Sequence, residues 1–119
     1  MSDPDCLFCR IVRGEIPANK LHEDEDVLAF HDIRPVAPVH FLIIPKVHVA
    51  NLYDVDMTQQ KALGRMLALA GELARREGAG DGFRTIINNG RVAHQEVYHL
   101  HMHVIGGPDS LGPMILRQK

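Results

Sequence analysis

Residues 99–105 read His-Leu-His-Met-His-Val-Ile. Side chains in a strand alternate between faces, so His99, His101 and His103 share one face while Leu100, Met102 and Val104 take the other. The apolar face anchors the strand, and the opposite face presents three imidazoles. At a strand rise of 3.4 Å, successive imidazoles start about 6.8 Å apart and the outer pair about 13.6 Å, too far for one small metal ion to hold all three readily. The spacing suits a phosphate chain lying along the strand. Imidazole near neutral pH serves as nucleophile, proton donor or hydrogen-bond partner. The plainer alternative is a half-exposed strand or a tag-like cluster. It fits less well, because the histidines keep strand period and lie well inside the sequence.

A second group with chemistry is Cys6 and Cys9, the only cysteines. Two cysteines two residues apart argue for metal or redox use more than for a disulfide framework. At i and i+3 of a helix, both thiolates can turn toward one metal. A redox role fits less well because the chain lacks the βαβ setting in which such a motif usually works. A reduced, buried pair is the structural alternative.

These residues need elements to hold them. Asp3-Pro4, followed by Cys6, Leu7, Phe8, Ile11 and Val12 and ended by Gly14, predicts a short helix with Asp3 as cap and Pro4 in its first turn. Lys20 to Glu23 and Val27 to Asp32 flank the acidic turn Asp24-Glu25-Asp26 and predict a hairpin. Pro35 and Pro38 precede a buried strand over His40 to Ile44, stopped by Pro45. Asp56 and Gln59 form a capping box, and Leu63, Met66, Leu67, Ala70, Leu73 and Ala74 then recur at helical spacing up to Gly78. That stripe reads as core or dimer contact rather than a cofactor site. Strands follow over Phe83 to Asn88 and Tyr98 to Ile105, the second ended by Gly106-Gly107-Pro108. The order α-β-β-β-α-β-β predicts an α+β fold with an antiparallel sheet of about five strands.

With 119 residues the chain suits a single domain over 1–119. A formal net charge of −2 provides no global field for nucleic acid or acidic lipid, so an anionic ligand must be held locally. No segment approaches the roughly 18 apolar residues of a membrane span, and Met-Ser-Asp-Pro-Asp lacks the basic start of a signal peptide. The expectation is a cytoplasmic protein with no membrane or nucleic-acid partner.

The triad heptapeptide, preceded by Gln95-Glu-Val-Tyr98 and followed by Gly106-Gly107, is similar to the signature of the histidine triad (HIT) superfamily. Gly14-Glu-Ile-Pro17, Phe30-His-Asp-Ile33 and Ala37-Pro-Val-His-Phe-Leu-Ile-Ile-Pro-Lys46 resemble its nucleotide-binding branch in bacterial form. The resemblance implies a HIT-like fold whose sheets join across a homodimer. It also implies hydrolysis of purine nucleoside phosphoramidates to the monophosphate through a covalent nucleotidyl-histidine, with no cofactor required for the chemistry. His101 would be the nucleophile. His103 and His40 would divide phosphate contact and proton delivery, with His99 completing the catalytic row. Asp32 would accept from the ribose hydroxyls, and Phe8, Ile11, Ile16, Phe30, His31 and Ile33 would line the base pocket. Asn88 would contact the phosphate ester or begin the Asn88-Asn89-Gly90 turn, and Val97 would offer its backbone N–H. Glu96 stands where animal members carry serine, and a carboxylate beside a phosphate repels it unless it is protonated or turned away. The ending Leu111-Gly-Pro-Met-Ile-Leu116 lacks the tryptophan of animal members, which bears on leaving-group preference. Some members bind a structural zinc through residues matching Cys6, Cys9, His48 and His99. Two other readings stay open: a dinucleoside polyphosphate hydrolase using the same nucleophile, and a nucleotide-binding interaction protein with incidental hydrolysis.

Overall fold

The computed structural model describes residues 3–115. Met1, Ser2 and residues 116–119, including Leu116 of the expected tail, lie outside the described residues. The elements are α1 (Leu7–Val12), β1 (Lys20–Glu23), β2 (Val27–His31), β3 (Val39–Pro45), α2 (Gln60–Glu77), β4 (Phe83–Ile86) and β5 (Met102–Gly106), with a 3-10 turn over Met57–Gln59 leading into α2. The strands form one antiparallel sheet in the order β1-β2-β3-β5-β4. This is the α+β architecture expected from the element order. Among the described residues no helix is long and apolar enough to cross a membrane.

Strand alternation gives the sheet two apolar faces. Val27, Ala29, Phe41, Ile43, Met102 and Val104 pack with Met66, Leu69, Ala70, Leu73 and Ala74 of α2. Leu28, Phe30, Leu42 and Ile44 point the other way and pack with Phe8 and Ile11 of α1. Leu100 belongs to the α2 side and is fully buried. The apolar members of the triad peptide therefore act as the anchor, at roughly 1.5–3 kcal/mol for each large side chain removed from water.

Helix α2 starts as its sequence requires: Asp56 accepts from the Thr58 N–H at 2.8 Å, and the Gln59 side chain accepts from the Asp56 N–H at 2.7 Å. It ends at Gly78, which takes the left-handed conformation at φ 108° that only glycine adopts cheaply. Leu67 departs from the expected stripe and is 63% exposed, one position off the buried arc. Helix α1 also departs from expectation, because it begins at Leu7 with Cys6 as its cap. Asp3 instead accepts from the Asp5 N–H at 2.9 Å in a turn of its own. Paired strand in the triad peptide begins only at Met102, whose partner is Ile43. Beyond it, Leu100 donates to the Val49 carbonyl at 2.7 Å, outside any ladder. Pro45 ends β3 without an N–H to offer, so the pairing cannot run on. The alternation of faces nonetheless continues back to His99.

Candidate active site and metal cluster

All three triad histidines lie on the α1 side. The Phe8 ring stands edge-on to His99 and His101 at centroid separations of 5.9 and 5.2 Å, and His101 and His103 are 5.1 Å apart. Backbone groups assign a different hydrogen-bonding state to each ring, since a carbonyl only accepts and an N–H only donates. His101 Nδ1–H donates to the His99 carbonyl at 2.7 Å. Its Nε2 therefore carries a lone pair.

His103 has the opposite polarity. The Val36 N–H donates to His40 Nδ1 at 3.1 Å, which places the His40 proton on Nε2. That nitrogen donates to His103 Nδ1 at 2.9 Å, so the His103 proton is on its own Nε2. An unprotonated nitrogen on His101 thus stands beside a protonated one on His103. Asp32 Oδ2 lies 3.4 Å from His40 Nε2, and Asp32 Oδ1 accepts from the Arg34 N–H at 2.7 Å. Of the hydrogen-bonded pair, His40 is 6% exposed and His103 is the more accessible.

Burial holds these rings neutral. It lowers the pKa of His101 and of His40, and it takes His103 down to about 4 with help from the neighbouring imidazoles. The charges of Asp32 and Glu96 oppose the shift at His101 and His103 without reversing it. A neutral imidazole is the form that can attack an electrophile.

His99 faces a different cluster. Its Nε2–H donates to the Pro45 carbonyl at 2.8 Å, leaving Nδ1 to point at Cys6 Sγ (3.3 Å), Cys9 Sγ (3.5 Å) and His48 Nδ1 (3.3 Å). Cys9 Sγ is also 3.4 Å from His48 Nδ1, and all four ligand atoms lie within 4.8 Å of one another. Tetrahedral zinc at its usual Zn–S and Zn–N lengths separates its ligands by about 3.3–3.8 Å, so these separations suit that ion. The Asp3 N–H reaches Cys9 Sγ at 3.3 Å and the Cys9 N–H reaches Cys6 Sγ at 3.4 Å, contacts that support thiolate character. Without a cation, burial raises the Cys6 thiol above its ordinary value.

Of the expected base-pocket residues, Phe8, Ile11, Ile16 and Phe30 come together, with Val97 packed against them. His31 and Ile33 do not join them. His31 falls on the α2 face by strand alternation, and its Nε2 lies 3.4 Å from Glu77. Ile33, past the end of β2, is 92% exposed. Asn89 carries the turn after β4, accepting from the Leu52 N–H and donating to the Ile87 carbonyl. Asn88 is half-buried and has no side-chain hydrogen bond among the described residues. Glu96 is exposed. The sequence reasoning did not anticipate Asn51, nor the burial of Gln95, which is 7% exposed. The one signal was at Asn51, a polar residue between Ala50 and Leu52, whereas Gln95 lies between His94 and Glu96 and carries none.

Comparison with known proteins matches this arrangement. Residues 13–110 match the HIT domain family. The purine nucleoside phosphoramidase of Escherichia coli K12 is 46% identical over 112 residues, covering 93% of each chain. Protein HitA of Neisseria gonorrhoeae is 45% identical over 104 residues, covering 87% of this chain and 97% of the relative. Among solved structures, a HIT family hydrolase from Clostridium thermocellum superposes with a TM-score of 0.90 at 42% identity, covering 97% of this chain and all of the other. With the triad on one face of an antiparallel α+β sheet and a family match over most of its length, the chain belongs to the HIT domain family.

Proposed function

We propose that this protein, as a single domain over residues 1–119, hydrolyses purine nucleoside phosphoramidates in two steps through a nucleotidyl-His101 intermediate. The observation that carries the reading is the opposed protonation of His101 and His103: a lone pair on one Nε2 beside a proton on the next. In the first step His101 Nε2 attacks phosphorus, the P–N bond breaks, and the amine leaves with a proton. The positive charge that develops on His101 is met by the His99 carbonyl at its Nδ1–H. His103 Nε2–H donates to a phosphoryl oxygen. His40 stands behind His103 and fixes its tautomer; this pair, neutral at rest, takes up a proton from solvent, which the Asp32 charge favours, and passes it to the amine as the P–N bond breaks. In the second step water attacks phosphorus, the P–Nε2 bond breaks with its electrons returning to His101, and a proton leaves with solvent. The monophosphate is released.

For the retained half of the substrate, Phe8, Ile11, Ile16, Phe30 and Val97 offer the base an apolar pocket, and Asp32 accepts from the ribose. Asn88 supplies an amide to the phosphate ester. The same residue set supports a resident zinc held by Cys6, Cys9, His48 and His99. Bound there, the ion supplies a structural crosslink between α1 and the triad peptide, while the chemistry stays with the imidazoles. We read the protein as a cytoplasmic homodimer. The dimer reading is supported by exposed Leu67 on α2 and by 40%-exposed Phe83 on the edge strand β4, close to Gly71 of α2. Light scattering at micromolar concentration should find twice the chain mass, and Leu67→Glu should halve it.

The direct test is intact mass after brief acid quench with adenosine phosphoramidate. Wild-type protein should gain one adenylyl group and His101→Ala none. An adduct that survives the substitution would move the nucleophile elsewhere.

A further inference from the structure

Two buried amides lie beside the catalytic peptide, and the mechanism above uses neither. Gln95 is 7% and Asn51 6% exposed. Every hydrogen-bonding position of the Gln95 amide is filled. Its Oε1 accepts from Asn51 Nδ2 at 3.0 Å and from the Gly90 N–H at 2.8 Å, while Nε2 donates to the Ala50 carbonyl at 2.7 Å and the Val97 carbonyl at 3.0 Å. Asn51 Oδ1 in turn accepts from the Tyr53 N–H at 3.0 Å.

These bonds tie the loop from Gly90 to Val97 to the segment after β3. The end of β3 and this segment touch the triad peptide at two further places, through the Pro45 carbonyl at His99 and the Val49 carbonyl at the Leu100 N–H. Within the loop, His94 sits at φ 59°, a conformation a non-glycine residue holds only when its surroundings impose it. The next residue is Gln95. Because the Gln95 amide binds the carbonyl of Val97, the chain curls around it. Among the described residues, neither the Glu96 nor the Val97 N–H then meets a protein acceptor. Val97 packs against the apolar cluster to which Phe8 and Phe30 belong, so the turn borders that cluster. Two successive N–H groups without a protein acceptor are available to an anionic oxygen.

We propose that Gln95, held by Asn51, is a positioning residue for transfer to His101: the pair fixes the Glu96–Val97 turn so that its two N–H groups meet the phosphoryl oxygens in the transition state. The inference rests on the reading of His101 as nucleophile. Glutamine is suited to the task because one neutral side chain both accepts and donates twice. The one charged side chain of the turn is the exposed Glu96 carboxylate, so what the turn offers the developing charge is its two backbone dipoles, beside the Nε2–H of His103.

Conservative substitutions separate this role from bulk folding. Asn51→Asp keeps an acceptor for Tyr53 and removes the donor to Gln95. Gln95→Glu keeps the acceptors for Asn51 and Gly90 and removes the donors to Ala50 and Val97. Turnover of adenosine phosphoramidate is measured per folded site, counted by stoichiometric binding of adenosine monophosphate. Each variant should lose about a hundredfold in kcat, as misplacement of a reacting group does, with KM changed by less than about fivefold. The double variant should be no slower than the worse single, because one clamp is broken either way. A kcat per site within about threefold of wild type, or losses that multiply in the double variant, would overturn the clamp. If a charged variant fails to fold, Asn51→Ala and Gln95→Ala bury no new charge and are read by the same criteria. Wild-type protein that neither turns over nor forms an adduct would overturn the nucleophile reading itself, whereas an active wild type with equally fast variants would overturn the clamp alone.

Discussion

His99 and His101 are two residues apart, share a face and contact the same Phe8 ring, yet they belong to different chemistries. His99 gives its Nε2 proton to the Pro45 carbonyl and turns Nδ1 into a tight cluster with two thiols and a second imidazole. His101 gives its Nδ1 proton to the His99 carbonyl and keeps Nε2 for the row it forms with His103. The residue type is the same, and the position of one backbone carbonyl decides which nitrogen is available. A closed set of four ligand atoms satisfies a metal, whereas an open row leaves space for a substrate.

If the open row is the reactive one, its damage should appear in rate and not in stability. His103→Ala removes a donor to the developing charge while sparing the nucleophile, and kcat should fall by about 10²–10³-fold. The melting temperature should stay close to wild type, since His103 is half-buried at the rim of the apolar cluster. Steady-state kinetics alongside a thermal melt reads both. A loss of stability with unchanged kcat per folded site would erase the contrast between the two regions.

The closed cluster should behave the opposite way. Stripping metal with a strong chelator, or replacing Cys9 by Ser, unlinks α1 from the triad peptide. The melting temperature should fall by about 10 °C, the shift that roughly 3 kcal/mol produces in a domain near this size. Activity per folded site should fall by no more than about tenfold, because the proposed ion would orient the strand and take no part in bond-making. One equivalent of zinc by elemental analysis, restored together with the melting temperature, supports the assignment. Protein that melts alike with and without chelator would reduce the cluster to a pair of buried thiols.

The contrast shows how far the sequence alone could be read. Period-two histidines over an apolar counter-face, and two cysteines three residues apart, pointed to the imidazole row and to a thiol pair because side-chain direction follows from backbone period, while His48 and His99 were tied to the thiols only by the resemblance to the HIT superfamily. What period cannot supply is the tautomer. That depends on the carbonyls of His99 and Pro45 and the N–H of Val36, none of which leaves a trace in residue type. The start of α1 was misread for a related reason: Asp3-Pro4 is a sound cap signal, but Cys6 sits where it can cap the helix and face His99 together. His31 and Ile33 belong to a motif that resembles the family's, while strand alternation and the end of β2 keep them out of the apolar cluster of Phe8, Ile11, Ile16 and Phe30. Asn51 and Gln95 were hidden because a buried amide pair has no periodicity at all.

Phe8 joins the two regions and allows the smallest test of their difference. Its ring covers both His99 and His101, and burial is the leading cause of the depressed pKa at each. For attack His101 must be neutral, so kcat/KM should hold on the acid side below the ordinary imidazole pKa of about 6.5 before it declines. Phe8→Leu keeps an apolar side chain but uncovers part of the imidazole. Water then stabilises the protonated form, the His101 pKa rises toward its ordinary value, and the acid limb of the pH profile moves up with it. The expected displacement is about half a pH unit, with the plateau rate nearly unchanged above neutrality. A zinc-bound His99 has no free lone pair to titrate, so the same substitution should leave metal content unaltered across that range. If the limb does not move, solvent exclusion by Phe8 is not what keeps the nucleophile neutral, and burial by its other neighbours must be, since the bond to the His99 carbonyl cannot supply the effect. That bond acts in the other direction, because it favours the protonated ring.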